Sequence, residues 1–480
     1  MTRHLTLLQL NDLHGYLEPH PEVFRNQQGR YYATAGGIAR IGTLFRQVRA
    51  ERPGAVIALD NGDTFHGTFT AVHTRGEALV PVMNELGLDA MTAHWEFAYG
   101  PAHFRALARR LAHPVLAVNC YERDTGRLVF QPSVVLERGG VRVGIVGIAA
   151  TIVDKTMPPS YSEGIRFTLG TEEVPREIER LRREDKADLI VVLSHLGLPQ
   201  DAKLASEVGG IDVLVSGHTH NRLRRPVQVG KTLIFQSGCH GSFIGRLDLE
   251  IDGHEVTRFE HALIPVGPEI ADDPDIALIV QEVMAPHRQM LAEVVGRTER
   301  ALDRAAMLEG SMDEVLLDAI AQAAQTRLAF SNGWRYGAPL LPGEVTVEQL
   351  WNIVPTNAPV SVLELTGEEM LSMLEENLER TFAANPYQQM GGFVKRCREL
   401  HMYFKIENPA GHRIEELFVE GEPLAPGRRY RAALLGEQAV PGKYGAGRER
   451  IGIDAIDALR AHFRASTPIR GAHAHSVSAI

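Results

Sequence analysis

Leu7-Leu8-Gln9-Leu10-Asn11-Asp12-Leu13-His14 is an apolar run that stops on a carboxylate and an imidazole. Four later runs stop in the same way. Val56-Ile57-Ala58-Leu59 ends in Asp60-Asn61-Gly62-Asp63, and Ala90-Met91-Thr92-Ala93 ends in His94-Trp95-Glu96. Ile190-Val191-Val192-Leu193 ends in Ser194-His195, and Val213-Leu214-Val215 ends in Ser216-Gly217-His218-Thr219-His220. Short β-branched or Leu-rich runs of this kind read as strands, and further ones stand at 114–118, 141–148, 232–236 and 246–251. Amphipathic stretches at 37–51, 77–86, 101–111 and 172–183 lie between several of them. The pattern is α/β, with ligands expected at the carboxyl ends of the strands.

In a parallel sheet those ends share one edge, so the groups converge without long loops to hold them. Asp12 with His14, and His218 with His220, are spaced to point the same way from extended chain. Imidazole nitrogens mixed with carboxylate oxygens suit zinc, manganese or iron, and the set exceeds what one ion needs. Two ions sharing one bridging carboxylate is the economical arrangement, and such a pair serves displacement at a phosphorus-like centre. The chain has 20 histidines, and any one alone is more often a surface residue than a ligand. The ordered set, each member closing an apolar run, is what argues for a metal site.

With 480 residues the chain is too long for one core. Hydrophobic residues at 44% and charged ones at 23% describe an ordinary globular protein. Fifty Lys+Arg against sixty Asp+Glu leave a net charge of −10, with no basic surplus for a nucleic-acid polymer. Cys120, Cys239 and Cys397 lie far apart and form no C-x-x-C pair, which speaks against a disulfide scaffold or thiolate zinc site. No apolar run approaches a membrane span. The start at Met1 has no signal-peptide pattern, so the expected compartment is the cytoplasm.

Three segments follow from the pattern: a metal-binding α/β domain at 1–265, a linker helix segment at 266–299, and a smaller α+β domain at 300–480. A helix is expected over 276–295, with others at 312–326 and 367–382 and β-like runs at 403–406 and 430–435. The end, 467–480, is small and polar and is expected to fray.

Asn11-Asp-Leu-His14, Asp60-Asn-Gly-Asp63, Ser194-His-Leu-Gly197 and Gly217-His-Thr-His220 together resemble the calcineurin-like metallophosphoesterase domain. Leu365-Thr-Gly-Glu368, after Pro355, resembles the carboxy-terminal domain of the 5′-nucleotidase family. The resemblance implies a β-sandwich flanked by helices that holds two divalent ions, manganese or zinc. One would sit on Asp12, His14, Asp63 and His220, the other on Asp63, His195, His218 and a fourth-strand ligand, here His94. It also implies that Arg335 contacts an anionic group of a small-molecule substrate, a phosphomonoester or nucleotide. The family's base-stacking Phe pair is missing, since Pro355 is followed by Thr356, and Trp334, Tyr336 and Tyr387 are the candidates for a different aromatic wall.

One motif departs from the family. Most relatives carry Gly-Asn-His-Glu at the fourth strand end, where this chain reads Ala93-His94-Trp95-Glu96. His94 takes the Asn position, to coordinate and to bind substrate oxygens; Trp95 takes that of the proton-donating His, and Ala98 that of its orienting Asp. An indole offers only an N–H donor. Either the leaving group needs no proton, or His66 or His240 supplies it. Trp95, with Thr74-Arg-Gly76, Gly333-Trp-Arg335-Tyr-Gly337 and Pro386-Tyr-Gln-Gln389-Met-Gly-Gly392, also resembles the thiosulfohydrolase branch of bacterial sulfur oxidation. That branch is exported and releases sulfate from a thiosulfonate on a carrier protein. A metal-binding module without catalysis is the reading from another class.

Overall fold

The computed structural model describes residues 2–470 and 476–480. The chain divides into two compact units, one of Met1–Asn26 with Tyr31–Pro286, the other of Gln27–Arg30 with His287–Ile480.

The first unit is built on two sheets. One runs in the order Glu255–Pro265, Phe243–Asp252, Arg3–Leu10, Val56–Asp60, Ala90–Met91. The other runs Val227–Val229, Thr232–Phe235, Val213–Ser216, Leu189–Ser194, Val141–Ile148, Ser133–Arg138. Strand Leu189–Ser194 shows why its sequence is apolar without a break. Leu189, Val191 and Leu193 join Leu5, Leu7, Ile57 and Leu59 in a core between the sheets, while Ile190 and Val192 pack outward on Val174, Ile178, Leu181 and Leu204. Those four lie on helices Glu173–Arg183 and Leu198–Glu207, so the strand is buried on both faces. This is the β-sandwich flanked by helices that the motifs implied.

Parallel pairing aligns the strand ends. Leu10 stands beside Asp60 and Asp60 beside Met91 in one sheet; Ser194 stands beside both Ile148 and Ser216 in the other. Every ligand motif therefore begins at the same edge of its sheet.

In the second unit, one sheet runs Phe393–Arg398, Leu328–Gly333, Arg429–Leu435, Pro359–Thr366, Ala446–Asp454. A smaller one runs Glu422–Pro423, Ile414–Val419, Leu400–Phe404, Val477–Ala479. Helix Gly367–Phe382 starts on a capping box in which Thr366 and Glu369 satisfy each other's backbone N–H. Its Met370, Met373, Leu374 and Leu378 fill the core against Phe330, Leu363 and Phe404.

Several expectations differ from what forms. The stretch 276–295 is not one helix: helix Pro274–Met284 ends before Pro286, a short turn Arg288–Leu291 follows, and Val294–Thr298 is a strand. Proline lacks the N–H that would carry the helix on. The unit boundary falls after this helix, between Pro286 and His287. No strand forms over 114–118, where Val115 and Leu116 make only isolated bridges. Of the end expected to fray, Val477–Ala479 pairs in parallel with Met402–Phe404, and 471–475 lie outside the described residues. Among the described residues, no helix is long and apolar enough to cross a membrane.

Candidate metal centre

Asp12 and His14 follow strand Arg3–Leu10 with φ of 47° and 50°, and Asp63, His218 and His220 have φ of 55°, 70° and 56°. Left-handed backbone at five non-glycine residues is costly, and here it coincides with the convergent carboxylates and imidazoles. Gly62 must be glycine, because a Cβ there would stand 2.7 Å from Thr92 O.

Each loop is pinned from behind. Asn61 Nδ2 donates to Ser194 O and to Val215 O, both at 2.8 Å, tying the Asp63 loop to two strand ends of the other sheet. Asp60 accepts from Gly62 N and Thr64 Oγ1. Glu96 accepts from His94 N and Thr64 N, each at 2.7 Å. Asp201 accepts from Ser194 Oγ and Ser216 Oγ, both at 2.5 Å, and burial pushes its carboxyl up to about 7.

The result is two clusters that share one carboxylate. Asp63, His94, His195 and His218 form the first, and Asp12, His14, Asp63 and His220 the second, with the ligand atoms of each within 4.8 Å of one another. His195 Nδ1 lies 2.6 Å from Asn61 O, so Nδ1 carries a proton and Nε2 is the nitrogen turned toward the cluster. That Nε2 stands 3.2 Å from Asp63 Oδ2, while His220 Nε2 stands 3.3 Å from Asp12 Oδ1 and 3.2 Å from His14 Nε2. Asp12 Oδ1, His94 Nε2 and His195 Nε2 are buried with no hydrogen bond to a described residue. Buried polar atoms left in this way are costly unless an ion completes them, so the set fits divalent metal.

Charge in the cluster follows from the same contacts. Burial pushes the Asp63 carboxyl up, but His94 and His195 outweigh it and hold Asp63 well below the usual carboxylate range. Burial lowers His195 too, and Asp63 with Asp12 overcomes this and raises it to about 9. His14, wholly buried among other imidazoles, is held well below its ordinary value.

All seven expected metal ligands thus come together. The two candidate proton donors fare differently. His66 is 1% exposed and packs edge-on against Trp95 at 4.3 Å, and burial pushes it down to about 4, which keeps it neutral. His240 donates its backbone N–H to Asp12 O, and its ring lies 6.0 Å from that of His14. Its Nδ1 is 3.4 Å from Glu22 Oε2. Glu22 escaped the sequence reading, since Pro19 and Pro21 disguise the hairpin strand Pro19–Asn26 that carries it. Trp95 donates its backbone N–H to Asp63 Oδ1 at 2.8 Å.

In the second unit, Trp334 and Tyr336 are buried, both 4% exposed, with Trp334 against the Arg304 guanidinium. Arg335 is partly exposed and lies over the Phe393 ring at 5.8 Å. Tyr387 is partly exposed in the turn Pro386–Gln388.

Comparison with known proteins agrees with this geometry. Residues 5–222 match the family model for calcineurin-like phosphoesterase, and residues 292–436 that for the 5′-nucleotidase C-terminal domain. The trifunctional nucleotide phosphoesterase YfkN of Bacillus subtilis is 24% identical over 87% of this chain, which spans only 30% of that protein's length. The 5′-nucleotidase of Vibrio cholerae is 24% identical, over 82% of this chain and 78% of its own. Among solved structures, the sulfate thiohydrolase SoxB of Thermus thermophilus, in complex with glycerol, superimposes with a TM-score of 0.91 at 26% identity, covering 99% of this chain and 96% of its own. Two domain matches in series, with the Asp and His clusters inside the first, place the chain in the 5′-nucleotidase family of calcineurin-like phosphoesterases, as a metal-dependent phosphoester hydrolase.

Proposed function

We propose that the chain hydrolyses small anionic phosphomonoesters, nucleotides among them, with two divalent ions, manganese or zinc. The observation that carries this reading is the pair of clusters sharing Asp63. Bound there, the ions supply Lewis-acid activation of water and of the substrate's oxygens. The chain's own part is orientation: Asn61, Glu96 and Asp201 hold the ligand loops, and His195 is fixed in one tautomer by Asn61 O. Arg335, in the second unit, carries a planar fork of the kind that suits a phosphate or sulfate. With Trp95 where relatives carry a histidine and His66 neutral, the reading favours leaving groups that depart as weak bases.

The last point also supports a second reading, sulfate release from a thiosulfonate, whose thiol-type leaving group needs little protonation. The similarity to the SoxB structure favours it as well. The test is to reconstitute the chain with manganese or zinc and assay an activated aryl phosphate, AMP and a thiosulfonate. Turnover of the aryl phosphate, with AMP slower because its ribose alkoxide is the more basic leaving group, supports the first reading, and sulfate release alone supports the second. Absence of turnover on all three with metal bound removes both and leaves a binding protein.

A further inference from the structure

A third group of ligand atoms adjoins the pair and belongs to neither cluster. Glu22, Cys239 and His240 bring a carboxylate oxygen, a thiol and an imidazole nitrogen within 4.8 Å of one another, at 4%, 7% and 3% exposure. Glu22 comes from the hairpin strand Pro19–Asn26, and Cys239 with His240 from the loop between strands Thr232–Phe235 and Phe243–Asp252. Residues far apart in the chain are thus joined at one buried point.

The spacing is that of ligands rather than of a hydrogen bond. Glu22 Oε2 and His240 Nδ1 are 3.4 Å apart, beyond the usual N–H···O range of about 2.7 to 3.2 Å. Two N/O donors each about 2.0 to 2.1 Å from a tetrahedral ion stand about 3.3 Å apart. The pair's own donors show this spacing, with His220 Nε2 and Asp12 Oδ1 at 3.3 Å. His240 also shares their left-handed backbone, with φ of 61°.

Glu22 has other contacts, and they leave room. Its Oε1 accepts from Val23 N at 2.7 Å and pairs with Arg222 at 2.8 Å, while Oε2 accepts from Ser242 Oγ at 2.8 Å. A carboxylate offers about four acceptor positions, so one remains on Oε2, the oxygen that faces His240.

We propose that Glu22, Cys239 and His240 form a third cation site, distinct from the pair and selective for zinc or another thiophilic divalent ion. The pair is built of N and O donors, which manganese accepts, whereas a thiolate selects softer metal. Three protein ligands leave a fourth position for water, as in open zinc sites.

The experiment strips the full chain with a chelator and reloads it with cobalt(II). The expected result is three ions per chain and a sulfur-to-cobalt charge-transfer band in the near ultraviolet. Cys239→Ser and Glu22→Gln should each retain two ions, and Cys239→Ser should lose the band. If Cys239→Ser does not fold, the wild-type spectrum decides, since Cys120 and Cys397 lie outside all three ligand groups. Two ions without the band overturn the proposal, and so do two ions with it, because Cys239 would then serve the pair. One ion with the band, unaffected by Asp63→Ala, upholds this site while removing the dinuclear reading.

Discussion

Each unit buries a set of charges, and the two sets are finished differently. In the second unit Asp313 accepts from Arg304 Nε at 2.6 Å through one oxygen and from Arg396 Nε at 3.0 Å through the other. Arg304 then donates to the carbonyls of Tyr336, Asn352 and Ile353, and Arg396 to those of Met307 and Ala306. In the first unit Asp12 Oδ1, His94 Nε2 and His195 Nε2 are as deeply buried and have no hydrogen bond to a described residue. A network that closes on itself is a structural device, and one that stops short of closing is built around something else. Burial and charge alone do not separate the two; the count of unmet donors and acceptors does.

The largest effect should come from breaking the open set at its shared member. Asp63→Ala removes a ligand from both clusters at once, and metal affinity and turnover should fall by more than the roughly 10- to 100-fold that loss of an outer hydrogen-bond partner costs. Metal content by elemental analysis, with turnover of an aryl phosphate, checks this. Two ions retained at unchanged affinity would mean that Asp63 is not shared.

The closed set should break differently. Asp313→Ala leaves two buried guanidiniums without their carboxylate, and the expected loss is about 3 to 5 kcal/mol of stability. Denaturant unfolding followed in the second unit should report it, while metal content stays at the wild-type level. A fall in metal content without a loss of stability would reverse the assignment of the two networks.

Legibility in the sequence follows the same division. Asp12, Asp63, His195 and His218 were readable because each lies within four residues of the end of an apolar run, and parallel register turns that adjacency into shared space. Glu22 was not readable, because its strand has no partner in the sandwich and its alternation is broken by two prolines. Trp334 and Tyr336 are candidates for an aromatic wall, and both are buried; burial is set by tertiary packing that local sequence does not carry. Strand Val477–Ala479 owes its form to a partner more than 70 residues earlier.

A subtler test concerns the support behind the open set. Asp201 clips Ser194 to Ser216, the ends of the strands that carry His195 and His218, and burial raises its carboxyl to about 7 despite both hydroxyl donors. The folded chain therefore holds a proton between about pH 4 and 7 that the unfolded chain has released. Its contribution to stability is complete below about pH 4 and is lost as pH rises to 7, on the order of 1 kcal/mol per pH unit. Asp201→Asn should flatten this part of the stability profile of the metal-free protein in denaturant titrations at pH 4, 5.5 and 7. An unchanged slope would place the carboxylate, ionised, at neutral pH.

The smallest effect is expected at Trp95, in the motif that departs from the family pattern. Trp95 serves the centre through its backbone, whose N–H donates to Asp63 Oδ1, and its ring packs on His66 at 4.3 Å and on Tyr161 at 6.1 Å. Trp95→Phe keeps the backbone donor and an aromatic ring in that place while removing the indole N–H. Turnover should stay within about tenfold of wild type, well short of the roughly 10²- to 10⁴-fold loss that follows removal of a working proton donor. Comparing an activated aryl phosphate with an alkyl phosphate sharpens the measurement, because only the poorer leaving group responds to lost protonation. A large, selective fall on the alkyl ester would show the indole N–H, rather than only the backbone N–H, taking part in the reaction by assisting the leaving group's departure.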